Sequence, residues 1–129
     1  MTTQTFYRAV TDAGKDANLE AAKGATAAVF HALRDRLTPE EADQVKAQLP
    51  LELKSVWEEG EEPGRRPLKM HRDEFLERVR REAGLTSAQQ ALWMALAVFA
   101  ALKKQLSPGE TGDVFSQLPK DLKELWAEA

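Results

Sequence analysis

The chain has 129 residues, of which 43% are hydrophobic and 30% are charged. This composition is typical of one globular domain spanning residues 1–129 and excludes disordered, collagen-like and low-complexity classes. Eighteen basic and 21 acidic residues leave a net charge of −3, too small to indicate a nucleic-acid or membrane partner by itself. The absence of cysteine excludes disulfides, thiolate catalysis and cysteine-ligated metals.

Apolar segments of the length needed for membrane insertion or export are not visible. The longest apolar run covers residues 91–102, whereas a membrane span needs about 20 residues. Residues 1–15 contain Arg8, Asp12 and Lys15 and lack the continuous apolar stretch of a secretion signal. We therefore expect a soluble, cytoplasmic protein with no membrane partner.

A short helix followed by a long one is predicted for the first part of the chain. Phe6, Val10 and Ala13 recur at helical spacing, and Gly14 is typical of a helix stop. The second helix covers about residues 18–36. Its apolar stripe consists of Ala22, Thr26, Val29, Phe30, Leu33 and Leu37.

The third helix has the clearest start signal in the chain. Residues 38–41 (Thr-Pro-Glu-Glu) form a capping-box pattern, with proline at the first helical position, and residues 107–110 (Ser-Pro-Gly-Glu) repeat it. The pattern predicts that Glu41 reaches back to the backbone N–H of Thr38. Pro50 forbids a continuous helix because it lacks the amide donor, so a short fourth helix follows, with Leu53 and Trp57 on one face.

A linker is predicted for residues 59–72, which contain two glycines and two prolines. Its charge is divided along its length. Glutamates come first, and the basic residues Arg65, Arg66, Lys69 and Arg72 follow.

The chain carries an internal repeat. A shift of 69 positions aligns residues 6–57 with residues 75–126 without gaps, and 18 of the 52 pairs are identical. We infer an all-α fold built by tandem duplication of a four-helix unit, giving about eight helices. The first repeat covers residues 5–58 and the second covers residues 73–127.

The two repeats are expected to pack as one bundle about a pseudo-twofold axis, because a unit of about 55 residues buries too little surface alone. Gly24 and Trp93 occupy the same repeat position, which predicts a small side chain facing a large one. We therefore expect Gly24→Leu to overpack the interface and to cost about 1–3 kcal/mol of stability.

The repeated signature includes residues 28–30 (Ala-Val-Phe), 37–42 (Leu-Thr-Pro-Glu-Glu-Ala) and 48–50 (Gln-Leu-Pro), followed by Trp57. It resembles the bacterial family called domain of unknown function 2267 over nearly the whole chain. The resemblance implies a small, helical, soluble protein without an established activity and transfers no functional residues. The second copy departs from the pattern at Gly109, Thr111 and Gly112, which is expected to loosen the first turn of its third helix.

Residues that carry catalytic or metal chemistry are scarce. His31 and His71, the two histidines, are forty positions apart, whereas metal sites use three or four ligands, usually with local spacing. Glu59, Glu61 and Glu62 lie around the glycines of the linker, and their charge would repel a phosphate. The sequence therefore assigns no catalytic, cofactor-binding or metal-binding residue, and we expect no cofactor.

The three tryptophans and two arginines are the candidate interaction surface. Trp57 and Trp126 end their repeats at matched positions and either pack in the core or serve as aromatic anchors. Trp93 lies in the long apolar run, whose burial is internal or includes another subunit. Arg65 and Arg66 begin a basic segment, but acidic residues interleave with it, which disfavours nucleic-acid binding.

The preferred hypothesis is a non-enzymatic helical protein-interaction module, with a protein partner or a second copy in a homodimer. One alternative is a small-molecule-binding protein or enzyme with a pocket between the two repeats. The other is a nucleic-acid accessory factor.

Overall fold

Eight helices and no strands make up the part of the chain that the structure, a computed structural model, describes: residues 1–15 and 18–129. The expectation of an all-α fold is confirmed. The helices are α1 (Thr3–Ala13), α2 (Leu19–Arg36), α3 (Pro39–Ala47), α4 (Leu51–Glu58), α5 (Arg72–Ala83), α6 (Ala88–Gln105), α7 (Pro108–Gln117) and α8 (Lys120–Glu128).

Side-chain oxygens cap the helices where the sequence predicts a start. Thr38 Oγ1 accepts from the backbone N–H of Glu41, and Ser107 Oγ accepts from that of Glu110, both at 3.2 Å. The helix α7 therefore begins at Pro108 as predicted, with both of its glycines inside it. At the other end of a helix, Gly84 closes α5 with φ +69°, a conformation that favours glycine.

The predicted capping boxes are closed by a different residue. The backbone N–H of Thr38 donates to Gln117 Oε1 at 2.9 Å, and that of Ser107 donates to Gln48 Oε1 at 2.8 Å. The expectation that Glu41 reaches back is therefore wrong. The glutamine at the C-terminal end of each of these helices, α3 and α7, accepts from the backbone N–H at the start of the other helix. These two hydrogen bonds connect distant parts of the chain.

Two groups of three aromatic side chains fill the core. Phe30 contacts Phe6 and Trp57 at ring-centroid distances of 5.6 and 5.3 Å. The second group consists of Phe75, Phe99 and Trp126, in which Phe99 contacts the other two at 5.7 and 5.0 Å. All six side chains are buried, so these residues contribute much of the apolar area removed from water.

The first helix of each half lies on the long helix of the other half. The helix α1 packs against both α2 and α6, and α5 packs against both α6 and α2. The long helices α2 and α6 also pack against each other.

Within the described residues, no single helix has the length and hydropathy of a membrane span. One pair, α5 with α6, meets those criteria jointly but is bent by 92°.

The environment of Gly24 differs from the expectation. A Cβ added at Gly24 would meet no heavy atom within 4 Å, so the glycine does not receive a large side chain from α6. Trp93 is half-buried, and its ring lies under Lys15 Nζ at 4.5 Å. The predicted close contact of Gly24 with a large side chain is therefore not found at the level of a Cβ. The expected cost of Gly24→Leu stays a prediction.

Candidate functional site

The structure separates the five candidate interaction residues by environment. Trp57 and Trp126 are 0% and 2% exposed, so their rings belong to the core. Trp93 is half-buried at the surface of α6, and Arg66 is exposed. The side chain of Arg65 is 9% exposed because it folds onto the end of α2.

A buried arginine that sequence reasoning missed lies beside these residues. Arg34 is 2% exposed, and its Nη1 donates to the carbonyls of Trp57 and Glu59, both at 2.7 Å. At the position 69 residues further on, Lys103 Nζ donates to the Trp126 carbonyl at 2.9 Å. The signal in the sequence is a basic residue that immediately follows the last apolar turn in both long helices.

The charge of Arg34 is balanced by its neighbour in the chain. Arg34 Nε lies 2.8 Å from Asp35 Oδ1, and Arg78 Nη2 lies 2.6 Å from Asp35 Oδ2. Burial raises the pKa of Asp35, but the hydrogen bonds from Arg34 and Arg78 outweigh it, so the pKa is lowered overall. The carboxylate is therefore held in its charged form between two guanidinium groups.

The predicted linker is attached to the end of α2 through Arg65. Its guanidinium donates to the carbonyls of Leu37 and Arg34, both at 2.8 Å. The Leu68 N–H also donates to the Asp35 carbonyl at 2.8 Å. A cation at the C-terminal end of a helix is favourable because the free carbonyls carry partial negative charge. Arg65 therefore holds the linker on the bundle.

The basic segment after the linker is largely paired with acids. Arg80 Nη2 lies 2.7 Å from Glu77 Oε1, and Arg81 Nε lies 3.5 Å from the same oxygen. Arg78 contacts Asp35, as described above. These pairs leave less positive charge for a phosphate backbone, which needs a basic face with few acids.

One histidine, His31, is buried, and the other, His71, is exposed to solvent. His31 is 8% exposed, with Nδ1 at 2.6 Å from Glu82 Oε2 and Nε2 at 2.7 Å from the Val56 carbonyl. Both ring nitrogens are therefore engaged with acceptors. The side chain of His71 is 72% exposed and lies 3.4 Å from Asp121.

A groove of about 1060 Å³ opens between α1, the start of α2 and the start of α4. Its apolar lining comes from Met1, Tyr7, Leu19 and Pro50, and its charged lining comes from Arg8, Asp12, Lys23 and Glu52. Burial raises the pKa of Tyr7, and the carboxylates of Glu59 and Glu52 raise it further. The phenol therefore stays neutral and able to donate a hydrogen bond at physiological pH.

One exposed leucine lines this groove, and a second lies in the chain between the lining residues Pro50 and Glu52. Leu19, at the start of α2, is 51% exposed, and Leu51, at the start of α4, is 75% exposed. A smaller cleft of about 330 Å³ lies between α1 and α6 and is lined by Lys15 and Trp93, among others. The concave surfaces of the chain are therefore open and lined by both apolar and charged side chains.

The comparison with known proteins identifies the family. No curated protein matches the chain. A family model described as an uncharacterized conserved protein, DUF2267, matches residues 3–125, which is nearly the whole chain. The resemblance noted from the repeated signature is thereby confirmed, and the chain belongs to the DUF2267 family.

Proposed function

We propose that the fold is a tandem duplication of a four-helix unit, packed about a pseudo-twofold axis as a single domain. The helices α2 and α6 each have 18 residues and begin 69 positions apart. The two aromatic groups and the crossed glutamines, Gln48 and Gln117, support the proposal because each half repeats the contacts of the other. The repeats would cover residues 5–58 and 73–127, joined by residues 59–72.

We propose that this fold serves as a non-enzymatic protein-interaction module. The observation that carries the proposal is the groove of α1, α2 and α4, which is lined in part by the exposed Leu19 and has the exposed Leu51 between its lining residues Pro50 and Glu52. Exposed apolar side chains rimmed by charged ones are typical of binding surfaces. The occupant that fits is an amphipathic helix of a partner protein, since the groove offers apolar side chains to one helix face and charged side chains to the polar flanks of the helix.

The second half of the chain lacks this surface. At the positions 69 residues further on, Leu19 corresponds to Ala88 and Leu51 to Lys120. Met1 and Tyr7 correspond to Met70 and Leu76, which are both buried. The asymmetry favours a dedicated binding face on the first half, because a purely structural duplication gives no reason to expose leucines on one side.

The test is photo-crosslinking from a reactive amino acid placed at Leu19 in the cells that make the protein. We expect one discrete crosslinked product, which is lost when Leu51→Asp is added. The same reactive group at Leu68, 51% exposed in the linker, is the matched control and should give no such product. Light scattering of the purified chain then establishes whether the partner is a second copy.

Equal crosslinking from positions 19 and 68, or crosslinking that persists with Leu51→Asp, would contradict the proposal. Both substituted leucines are exposed first residues of helices, so the variants should retain the fold. Circular dichroism of each purified variant checks this point before the crosslinking is compared.

A further inference from the structure

The two glutamates of the predicted capping boxes lie buried at the contact between α3 and α7. Glu41 is 7% exposed and Glu110 is 6% exposed. They occupy corresponding positions, 69 residues apart, and the helices that carry them pack against each other. Burying a carboxylate is costly unless it is paired or hydrogen-bonded, so their surroundings need an explanation.

The two carboxylates do not make the hydrogen bond that the capping-box pattern predicts, because a glutamine makes it instead. In a closed capping box the glutamate accepts from the backbone N–H of the cap residue. Here Gln117 and Gln48 accept those N–H groups instead. Oε2 of Glu41 and Oε2 of Glu110 consequently have no hydrogen-bond partner among the described residues.

A third carboxylate joins the pair from one turn further along α7. One oxygen each from Glu41, Glu110 and Asp113 lies within 4.8 Å of the other two. Asp113 is exposed, so the cluster is open to solvent on one side. Among the ion pairs of the described residues, none involves these three acids.

The three carboxylates therefore lie close together without an ion-pair partner among the described residues. Burial raises the pKa of Glu110, and the charge of Asp113 raises it further. A divalent cation bound among the three carboxylates would balance part of their charge.

We propose that Glu41, Glu110 and Asp113 bind a hard divalent cation of the size of Ca²⁺. Carboxylate oxygens are the ligands that such cations prefer, and Ca²⁺ binds oxygens at about 2.3–2.6 Å. Ligand oxygens on opposite sides of the ion can then lie up to about 5 Å apart, which accommodates the observed spacing. Water entering beside Asp113 completes the coordination, and the ion joins α3 to α7.

The test is calorimetric titration of the full chain with CaCl₂ after treatment with EDTA and dialysis into metal-free buffer. We expect one Ca²⁺ per chain and a rise in Tm with Ca²⁺ concentration, because a ligand of the native state stabilises it. Glu41→Gln, Glu110→Gln and Asp113→Asn should each weaken binding on the order of tenfold or more, since each removes a charged ligand.

Glu40→Gln is the matched control, because Glu40 is an exposed acid next to Glu41 and lies outside the cluster. It should bind Ca²⁺ as the unsubstituted chain does. If Glu41→Gln or Glu110→Gln unfolds the chain, Asp113→Asn still tests the proposal, because Asp113 is exposed and its replacement should not disturb the fold. Absence of Ca²⁺ binding, or binding that is equal in the three cluster variants and the control, would overturn the proposal. A glutamate found protonated at neutral pH by carbon NMR, with no Ca²⁺ bound, would assign the pair to a shared proton instead.

Discussion

Two charged residues at the end of α2 hold buried groups together, which their positions in the sequence do not indicate. Arg34 satisfies the carbonyls of Trp57 and Glu59, and Asp35 balances its charge. Because these groups are buried or half-buried together, each depends on the others for compensation. Removing one partner therefore costs more than replacing the whole network with apolar residues would.

Replacing Arg34 tests this dependence. Arg34→Met leaves the carbonyls of Trp57 and Glu59 without this donor and removes one of the two guanidinium groups that hold Asp35, so we expect a loss of about 3–5 kcal/mol in the free energy of unfolding. Arg34→Lys should lose less, since Lys103 bonds the Trp126 carbonyl in the second half. Urea unfolding of the three proteins measures both changes. Equal losses for the two variants would show that the donated hydrogen bond does not carry the effect.

The lowered pKa of Asp35 predicts how stability changes with acid. The folded state binds the Asp35 proton more weakly than the unfolded chain does, so the contribution is present above the ordinary value of 3.8 and is lost as the pH falls through the lowered pKa. Asp35→Asn should therefore reduce Tm at neutral pH and should flatten the decline of Tm below about pH 4. Parallel acid titrations of Tm for the two proteins would contradict this.

At the scale of the helix, glycines have opposite effects according to their backbone conformation. Gly24 lies inside α2, and a Cβ there meets nothing within 4 Å. Gly84 closes α5 with φ +69°, where a side chain is strained whatever the space around it. Space and backbone angle together therefore decide the sign of each substitution.

Gly24→Ala should stabilise the protein by about 0.5–1 kcal/mol, because alanine loses less backbone entropy in a helix. Gly84→Ala has the same change of side chain and should destabilise the protein, because alanine is strained at positive φ. Thermal unfolding of both variants gives the comparison. A lower Tm for Gly24→Ala would mean that α2 contacts another element at this position.

At the scale of the whole molecule, the halves are joined by reciprocal glutamine contacts. Gln117 accepts from the Thr38 N–H, and Gln48 accepts from the Ser107 N–H. Each contact satisfies a helix-start donor from a distant part of the chain. The C-terminal end of each of the helices α3 and α7 is therefore bonded to the N-terminal end of the other. The two helices also pack against each other.

Gln48→Ala and Gln117→Ala should each cost about 0.5–1.5 kcal/mol, the net value of a protein hydrogen bond. Gln44→Ala, at an exposed position on α3, is the control and should change stability by less than about 0.5 kcal/mol. Denaturant unfolding measures all three. If the two cross-half variants cost no more than the control, the contacts do not hold the halves together.

Helix class and most helix boundaries follow from local chemistry, which is why the sequence predicts them. Pro39 and Pro108 start helices because the missing N–H costs nothing in the first turn. Gly84 ends one because it adopts a left-handed conformation cheaply. Periodic apolar residues such as Phe30 mark core faces, since burial follows the 3.6-residue period. These features depend on neighbours in the chain and need no knowledge of the fold.

The choice of partner across the molecule is decided by tertiary packing. Glu41 carries a capping-box pattern, yet Gln117 reaches the Thr38 N–H first, and the glutamate turns into the contact between α3 and α7. Gly24 matches Trp93 by repeat position, but the Trp93 side chain lies more than 4 Å from a Cβ placed at Gly24. The groove that Leu19 lines with Tyr7 and Pro50 likewise appears only when α1, α2 and α4 come together. Contacts between residues far apart in the chain depend on helix geometry, which no local pattern encodes.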